Sequence, residues 1–204
     1  MNPEEWGNTV WWELHWLANK VDTVIVSMRA HTPLDKSAAK IQTDLLKMFV
    51  LYVKNLGEKL LPCKTCQKST TKFLNETFLH PSNVLKDFQK TGVPKASAWM
   101  YQLHNLVNLK LNKPQLSVAD FAKHQRLPAF QDIPLQSVLA YVEAAIRHCM
   151  PKWPQRKRTF QETFTKYLSP LLLSLHTHAE FANINSAQVK DLSLFGNYYK
   201  TFLV

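Results

Sequence analysis

Apolar residues recur at intervals of three and four along most of the chain, which is typical of helices that bury one face. One stripe predicts a helix over residues 6–26. A second predicts a helix over residues 41–56 that ends between 57 and 61, and Asp35 is a candidate cap before it. The sequence contains only four glycines and long stretches without proline, which disfavours a sheet protein. We therefore predict an all-α fold.

Prolines and candidate caps divide the rest of the pattern. Pro62 suits the first turn of a third helix over residues 62–78, so Cys63 and Cys66 would lie in that turn. Ser117 with Asp120 resembles a helix cap. Further helices are predicted over residues 84–88, 94–111, 117–124, 138–150, 160–175 and 186–202. Pro128 and Pro134 bracket a linker, and Pro170 is predicted to divide the helix over 160–175.

Length and charge limit the classes of protein to which this chain could belong. With 204 residues and 46% apolar composition, the chain can bury a core as one main domain with an extension. The formal charge of +10 comes from scattered lysines, and the densest basic stretch, residues 156–158, leaves a solvated face and an anionic contact both open. No specific nucleic-acid binding is predicted. Because no membrane helix and no amino-terminal leader are evident, we expect a soluble, cytoplasmic protein.

Three cysteines are too few to staple a chain of this size. Two of them form the spacing Cys63-Lys64-Thr65-Cys66, and at a helix amino terminus free amides stabilise a thiolate. This spacing favours a redox dithiol, while a passive disulfide, coincidence and zinc binding with His176 and His178 remain alternatives. Cys149 is a lone thiol that could be inert, relay electrons or join two subunits.

Two longer motifs flank the cysteine pair. The string WMYQLHNLVNLKLNKP resembles the flavin motif W-x4-HNxVNxxLxKP of the Erv/ALR sulfhydryl oxidases, and every residue of that pattern is present from Trp99 to Pro114. Upstream, Gly7, Trp11, His15 and Ala18 occupy the places of the first-helix motif of that family. The resemblance covers residues 4–124 and is closest to the compact members encoded by large DNA viruses.

The resemblance implies a four-helix bundle with a short fifth helix that binds FAD noncovalently, usually as a homodimer. It implies an oxidase domain over residues 1–126 and a helical extension of unknown role over 127–204. The activity implied is thiol oxidation that generates protein disulfides. A protein dithiol, such as a thioredoxin-like carrier, would attack Cys63. Cys66 would then pass two electrons to FAD, and O2 would take them from FAD to give H2O2. A viral member could be virion-associated.

The resemblance also implies a set of cofactor-binding residues, for each of which ordinary packing or a surface position is the alternative. The set comprises Gly7, Trp11, His15, Cys66, His104, Asn105, Val107, Asn108, Leu111 and Lys113, with Lys110 and Phe121 as weaker candidates. No metal ligand is implied. Many cellular members carry a structural disulfide where this chain has Tyr101 and Ser117 or Val118. We expect that packing replaces this bridge.

Overall fold

The computed structural model describes residues 6–31, 35–76, 78–126 and 153–181. Within these ranges the chain forms helices and contains no strand, which confirms the all-α prediction. The helices predicted over residues 138–150 and 186–202, together with Cys149, lie outside the described residues.

Eight α-helices are described, and two single-turn π-helices adjoin them. The α-helices are α1 Gly7–His31, α2 Lys36–Asn55, α3 Lys64–Leu74, α4 Pro81–Thr91, α5 Ala96–Lys110, α6 Val118–Arg126, α7 Trp153–Thr163 and α8 Ser169–Thr177. The first π-turn, Leu56–Leu60, follows α2, and the second, Phe164–Leu168, joins α7 to α8.

Several helix bounds differ from the predicted ones. The connection predicted to hold a short helix over residues 84–88 is the full helix α4, because Pro81 starts it and the His80 side chain accepts a hydrogen bond from the Ser82 backbone N–H. Gly92 ends it in the left-handed conformation at φ 68°. Helix α3 begins at Lys64 and stops at Leu74, so it is shorter than predicted at both ends. The caps at Asp35 and Ser117 are confirmed.

Helices α1, α2, α3 and α5 form the bundle, and α6 is the short fifth helix. Helix α1 packs against α5 and α2, while α3 packs against the first π-turn and α5. Fully buried side chains such as Leu17, Phe49 and Met100 fill the space between them. Helix α4, predicted only as a short helix over residues 84–88, packs against α2.

The register between α1 and α5 is fixed by a carboxylate. Asp22 on α1 accepts hydrogen bonds from the backbone N–H groups of Ala96 at 2.9 Å and Ser97 at 2.8 Å. Burial raises the pKa of Asp22, although these hydrogen bonds oppose the rise. The carboxylate thereby satisfies the free amides at the start of α5. His15 lies two turns before Asp22 on α1, and His104 lies two turns after Ala96 on α5. This register therefore brings the two histidines opposite each other.

The carboxy-terminal segment 153–181 joins the same hydrophobic core instead of forming a separate one. Its buried apolar side chains include Phe160, Phe164, Leu168, Leu171, Leu172 and Leu175. The segment packs mainly along α2, and the ring of Phe164 meets that of Tyr52 edge-on at 6.0 Å. The predicted break at Pro170 instead appears upstream as the second π-turn, since proline in the first turn of α8 cannot supply an amide to the preceding helix.

Candidate functional site

A cavity of about 590 Å³ opens between α1, the first π-turn, α3 and α5, a volume within the usual range for small-molecule sites. Both cysteines of the pair lie in its wall. The other lining residues are Trp6, Gly7, Asn8, Val10, Trp11, Leu14, Val53, Leu56, Gly57, Leu61, Thr65, Ser69, Thr70, Phe73, Leu103, His104, Val107, Asn108, Lys110, Leu111 and Lys113.

The cysteine pair sits at the amino terminus of α3. Cys63 is the residue that caps the helix, and its Sγ accepts a hydrogen bond from the Cys66 backbone N–H at 3.2 Å. Both side chains are free thiols. The next residue, Gln67, anchors the preceding chain, since its Nε2 donates to the carbonyl oxygen of Leu61 at 2.7 Å and to that of Lys59 at 3.1 Å. These two hydrogen bonds hold the segment that leads into the cysteine pair against helix α3.

Close packing between the π-turn and α3 depends on a glycine. A Cβ atom at Gly57 would lie 2.3 Å from Cγ2 of Thr70, nearer than atoms can approach. Both residues line the cavity. Glycine at this position lets the backbone of the π-turn reach the helix that carries the cysteines.

The two thiols differ in acidity. Burial opposes ionisation of Cys63, but hydrogen bonds from the Cys66 thiol and from the Cys66 and Thr65 amides outweigh it, so the pKa of Cys63 is lowered. Burial, followed by the hydrogen bond to Cys63 and the charge of that thiolate, raises the pKa of Cys66 to about 12, against a lowering effect of Lys110. The reduced pair therefore holds its negative charge on Cys63.

Aromatic rings from α1 and α5 meet at the cavity wall. The rings of Trp11 and His104 stack with centroids 4.1 Å apart and planes 6° from parallel. A hydrogen bond of 2.9 Å joins His15 Nε2 and His104 Nδ1, one nitrogen donating and the other accepting. Burial, aided by the charge of Lys113, lowers the pKa of His104 to about 4, so its ring is neutral near pH 7.

The turn that follows α5 places a second cationic side chain, Lys113, in the cavity wall. Asn112 adopts the left-handed conformation at φ 53°, which asparagine tolerates better than most residues. The following residue, Lys113, donates its backbone N–H to the carbonyl oxygen of Asn108 at 2.9 Å. The chain thus turns back at this point, and Lys113 joins Lys110 in the wall.

The lining suits a flavin dinucleotide. Its charged side chains are Lys110 and Lys113, and no Asp or Glu is among the described residues that form the wall, which matches a ligand carrying a pyrophosphate. Flat rings at Trp11 and His104 offer stacking surfaces. The buried indole N–H of Trp6 has no hydrogen-bond acceptor within the described structure, so a ligand acceptor could satisfy it. The residues present therefore fit FAD.

Most of the predicted cofactor-binding residues come together at the cavity. Those in its wall are Gly7, Trp11, Cys66, His104, Val107, Asn108, Lys110, Leu111 and Lys113. The other three lie behind it. His15 contacts His104, and the ring of Phe121 lies 5.2 Å from that of His15 and 5.0 Å from that of Tyr101.

Asn105 has a structural contact that the motif did not indicate. Its side-chain Nδ2 donates to the carbonyl oxygen of Leu116 at 3.0 Å, and its Oδ1 accepts from the Leu116 backbone N–H at 3.0 Å. The hydroxyl of Tyr101 donates to the same carbonyl at 2.7 Å. These contacts join α5 to the segment before α6, where many cellular relatives are expected to carry the disulfide.

The sequence analysis missed much of the wall, above all on α3. Thr65, Ser69 and Phe73 follow one another at intervals of four, and Thr70 lies four residues after Cys66. Extending the helical face that contains Cys66 would have identified them. Trp6, Asn8 and the π-turn residues had no such signal.

Two other expectations can be compared with the described part of the chain. In residues 6–31, 35–76, 78–126 and 153–181, no three His, Cys, Asp or Glu side chains are grouped so that they could hold a metal ion. The zinc alternative with His176 and His178 thus has no cluster there to support it. No helix among these residues is long and apolar enough to cross a membrane.

Comparison with known proteins agrees with the geometry. The model of the Erv1/Alr family matches residues 9–126. A protein of Invertebrate iridescent virus 3 whose name describes it as an FAD-linked sulfhydryl oxidase is 25% identical over 128 residues, which cover 63% of this chain and 70% of the relative. No solved structure is significantly similar. Apart from Trp6, Gly7 and Asn8, the residues that line the cavity lie within the family match. The chain belongs to the Erv1/Alr family as an FAD-dependent thiol oxidase.

Proposed function

We propose that Cys63 and Cys66 are the redox pair of this thiol oxidase and that FAD binds in the cavity beside them. The observation that supports this most directly is that both cysteines line the same cavity as most residues of the first-helix and flavin motifs. A cysteine pair outside this cavity could not transfer electrons directly to a cofactor bound in it.

The reaction begins with the pair oxidised. A thiolate of the substrate attacks Sγ of Cys63, the bond between Cys63 and Cys66 breaks, and Cys66 leaves with the electron pair. The second substrate thiol then attacks the substrate sulfur of the mixed disulfide and releases Cys63. The substrate dithiol is thereby oxidised to a disulfide, and the protein pair is reduced to two thiols. Bound FAD would supply the two-electron acceptor that returns the reduced pair to its disulfide, with O2 as the final acceptor and H2O2 as the product.

The acidities of the two thiols suit this order. The lowered pKa of Cys63 makes it the better leaving group when the mixed disulfide resolves. The pKa of Cys66, about 12, disfavours its thiolate. The nearby positive charge of Lys110 stabilises this thiolate and so helps Cys66 to leave when its bond to Cys63 breaks. We therefore assign Cys63 the contact with substrate and Cys66 the contact with the flavin.

The wall residues divide into two groups. Lys110 and Lys113 are placed to neutralise the pyrophosphate, and Asn108 offers an amide between them and His104. Trp11 and His104 offer flat faces to an aromatic ring system. His15 positions His104 through their hydrogen bond. Asn105 acts from behind the wall by holding the segment before α6 against α5.

Three finer features are also part of the proposal. The substrate is a protein dithiol, with a thioredoxin-like carrier as the candidate class, because the pair lies at a helix tip. The oxidase is a homodimer, as the family resemblance implies. Residues 1–126 supply the redox site, and 127–204 form a helical extension of which the segment 153–181 completes the core.

A visible spectrum of the purified protein and an oxygen electrode with dithiothreitol test the assignment. We expect bound flavin and oxygen consumption from the parent protein. Cys66→Ser should retain the flavin and lose turnover by more than about a thousandfold, since no disulfide can form beside the cofactor. Cys149→Ser is the matched control and should remain active. A colourless protein, or full activity in Cys66→Ser, would refute the proposal.

A further inference from the structure

Three exposed lysines form a row along α3 that begins between the two cysteines of the reactive pair. Lys64, Lys68 and Lys72 are spaced by four residues, which places them on one face of the helix over about 12 Å. The row begins next to Cys63. The wall of the cavity is formed by other residues of α3, at positions 65, 66, 69, 70 and 73, so the row lies apart from the cofactor side.

This row lacks the acidic partners that some other basic residues of the described structure have. On α2, Lys40 pairs with Asp44 four residues later, and on α7 Arg158 pairs with Glu162 at the same spacing. On α3 the residue four positions after each of the first two lysines is another lysine. The helix contains no acidic residue, and none of the three lysines forms an ion pair with any described residue.

Like charges at this spacing destabilise an isolated helix, whereas opposite charges stabilise it. An acidic surface on a bound partner would offset this repulsion, because each lysine would then also face a carboxylate. The location makes one partner the natural occupant, since a substrate protein must bring its thiols to Cys63 and will cover the adjacent turns of α3.

We propose that the row formed by Lys64, Lys68 and Lys72 is the docking surface for the substrate protein, and that the substrate carries an acidic surface beside its dithiol. This rests on the proposed role of Cys63 as the substrate-facing thiol. Opposite charges on the two surfaces raise the rate of encounter and orient the thiols toward Cys63, an effect that salt weakens.

The test compares three reduced dithiols of defined charge. Two are peptides with cysteines separated by two glycines, flanked by four aspartates in one and by four lysines in the other, and the third is neutral dithiothreitol. Oxygen consumption gives kcat/KM for each at ionic strengths of about 20 and about 500 mM, which correspond to weak and strong screening. The same measurements are made on Lys68→Gln with Lys72→Gln, which leaves the residues between the cysteines unchanged.

The parent protein should oxidise the acidic peptide about tenfold faster than the basic one at low ionic strength, and this preference should almost vanish at high ionic strength. The double variant should lose about threefold or more of the preference while oxidising dithiothreitol normally. The matched control is Lys36→Gln with Lys90→Gln, which removes the same charge from two exposed positions on α2 and α4 and should keep the preference.

Equal rates for the two peptides at low ionic strength, or an equal loss of preference in the control variant, would overturn the docking proposal. Failure to oxidise dithiothreitol by the parent protein would instead count against the redox assignment of Cys63 and Cys66. The two failures are therefore distinguishable.

Discussion

The cavity side of the bundle and the side covered by residues 153–181 differ in how the space next to the helices is filled. On the cavity side, about 590 Å³ stays open between α1, the first π-turn, α3 and α5, and its mostly apolar wall includes polar groups and two lysines. On the covered side, Phe160, Phe164 and four leucines fill the space along α2. Filled space stabilises the fold, whereas open space with unsatisfied groups becomes useful only when a ligand enters it.

Each side also contains one buried polar contact to α1. His15 meets His104 at the cavity, and Glu13, two residues earlier, accepts a 2.6 Å hydrogen bond from the hydroxyl of Tyr52 in the core. Burial favours the neutral form of both side chains, since it lowers the pKa of His104 to about 4 and raises that of Glu13 to about 7. Only the first pair lies beside a cavity that a cofactor could occupy.

Removing the covered side altogether is the largest perturbation. Truncation after residue 126 deletes six buried leucine and phenylalanine side chains and exposes the face of α2 that they cover. At about 1.5–3 kcal/mol for each such side chain, their burial is comparable to the whole net stability of a domain. We expect the truncated chain to be insoluble or unfolded by circular dichroism. A soluble truncated protein that retains flavin would show that the extension is dispensable.

A single substitution on the same side tests this packing more gently. Phe164→Ala should lower the free energy of unfolding by about 3–5 kcal/mol, because it opens a space next to Tyr52 in the core. Urea unfolding measures this loss. Phe78→Ala is the matched control, since that ring is 55% exposed, and should change stability by less than about 0.5 kcal/mol. Similar losses in both variants would contradict the assignment of Phe164 to the core.

The sequence predicted the cavity side better than the covered side for a physical reason. A cofactor requires particular side chains at fixed spacing, so Trp11, His104 and Lys113 could be recognised by motif, and all three line the cavity. Packing of residues 153–181 against α2 requires only apolar side chains of suitable shape, which many sequences supply. Periodicity predicted a helix there but not its partner.

Other features escaped prediction because they depend on contacts between distant segments. The hydrogen bonds from Ala96 and Ser97 to Asp22, and those between Asn105 and Leu116, join residues that no local pattern connects. The π-turn at Leu56–Leu60 likewise follows from the close approach of Gly57 to α3. The resemblance identified Asn105 as important but could not distinguish contact with the cofactor from support of the wall.

The burial of Glu13, which the hydrogen bond from Tyr52 only partly offsets, should make stability depend on pH. The pKa of Glu13 rises from 4.5 to about 7 on folding, so the folded chain holds this proton more tightly than the unfolded chain. Stability from this group is fully present below pH 4.5 and is lost as the pH rises toward 7, a fall of about 3 kcal/mol. Glu13→Gln should remove this part of the pH dependence.

Urea unfolding at pH 5 and pH 8 measures the effect as the difference between the parent protein and Glu13→Gln. His104 contributes with the opposite sign, since its lowered pKa costs stability as the pH falls below 6.5, but it contributes equally to both proteins. The parent should lose more stability between pH 5 and pH 8 than the variant does. Parallel curves would show that Glu13 is ionised in the folded protein throughout this range.

The smallest expected effect is on the cavity side, where Gln67 holds the approach to the cysteines. Gln67→Ala removes two hydrogen bonds to the carbonyl oxygens of Leu61 and Lys59 and should cost about 1–2 kcal/mol of stability. It should also loosen the turn that sets Cys63 against the Cys66 amide, and so raise the pKa of Cys63 toward its ordinary value. The covered side would be unaffected.

The pH dependence of alkylation of reduced Cys63, followed by mass spectrometry of its peptide, measures this change in pKa. Gln89→Ala is the matched control, because Gln89 is exposed on α4 and makes no described contact with the cysteine pair. Its alkylation profile should match that of the parent protein. If Gln67→Ala also matched the parent, the acidity of Cys63 would depend on the helix terminus alone, and the hydrogen bonds of Gln67 would serve only to stabilise the π-turn.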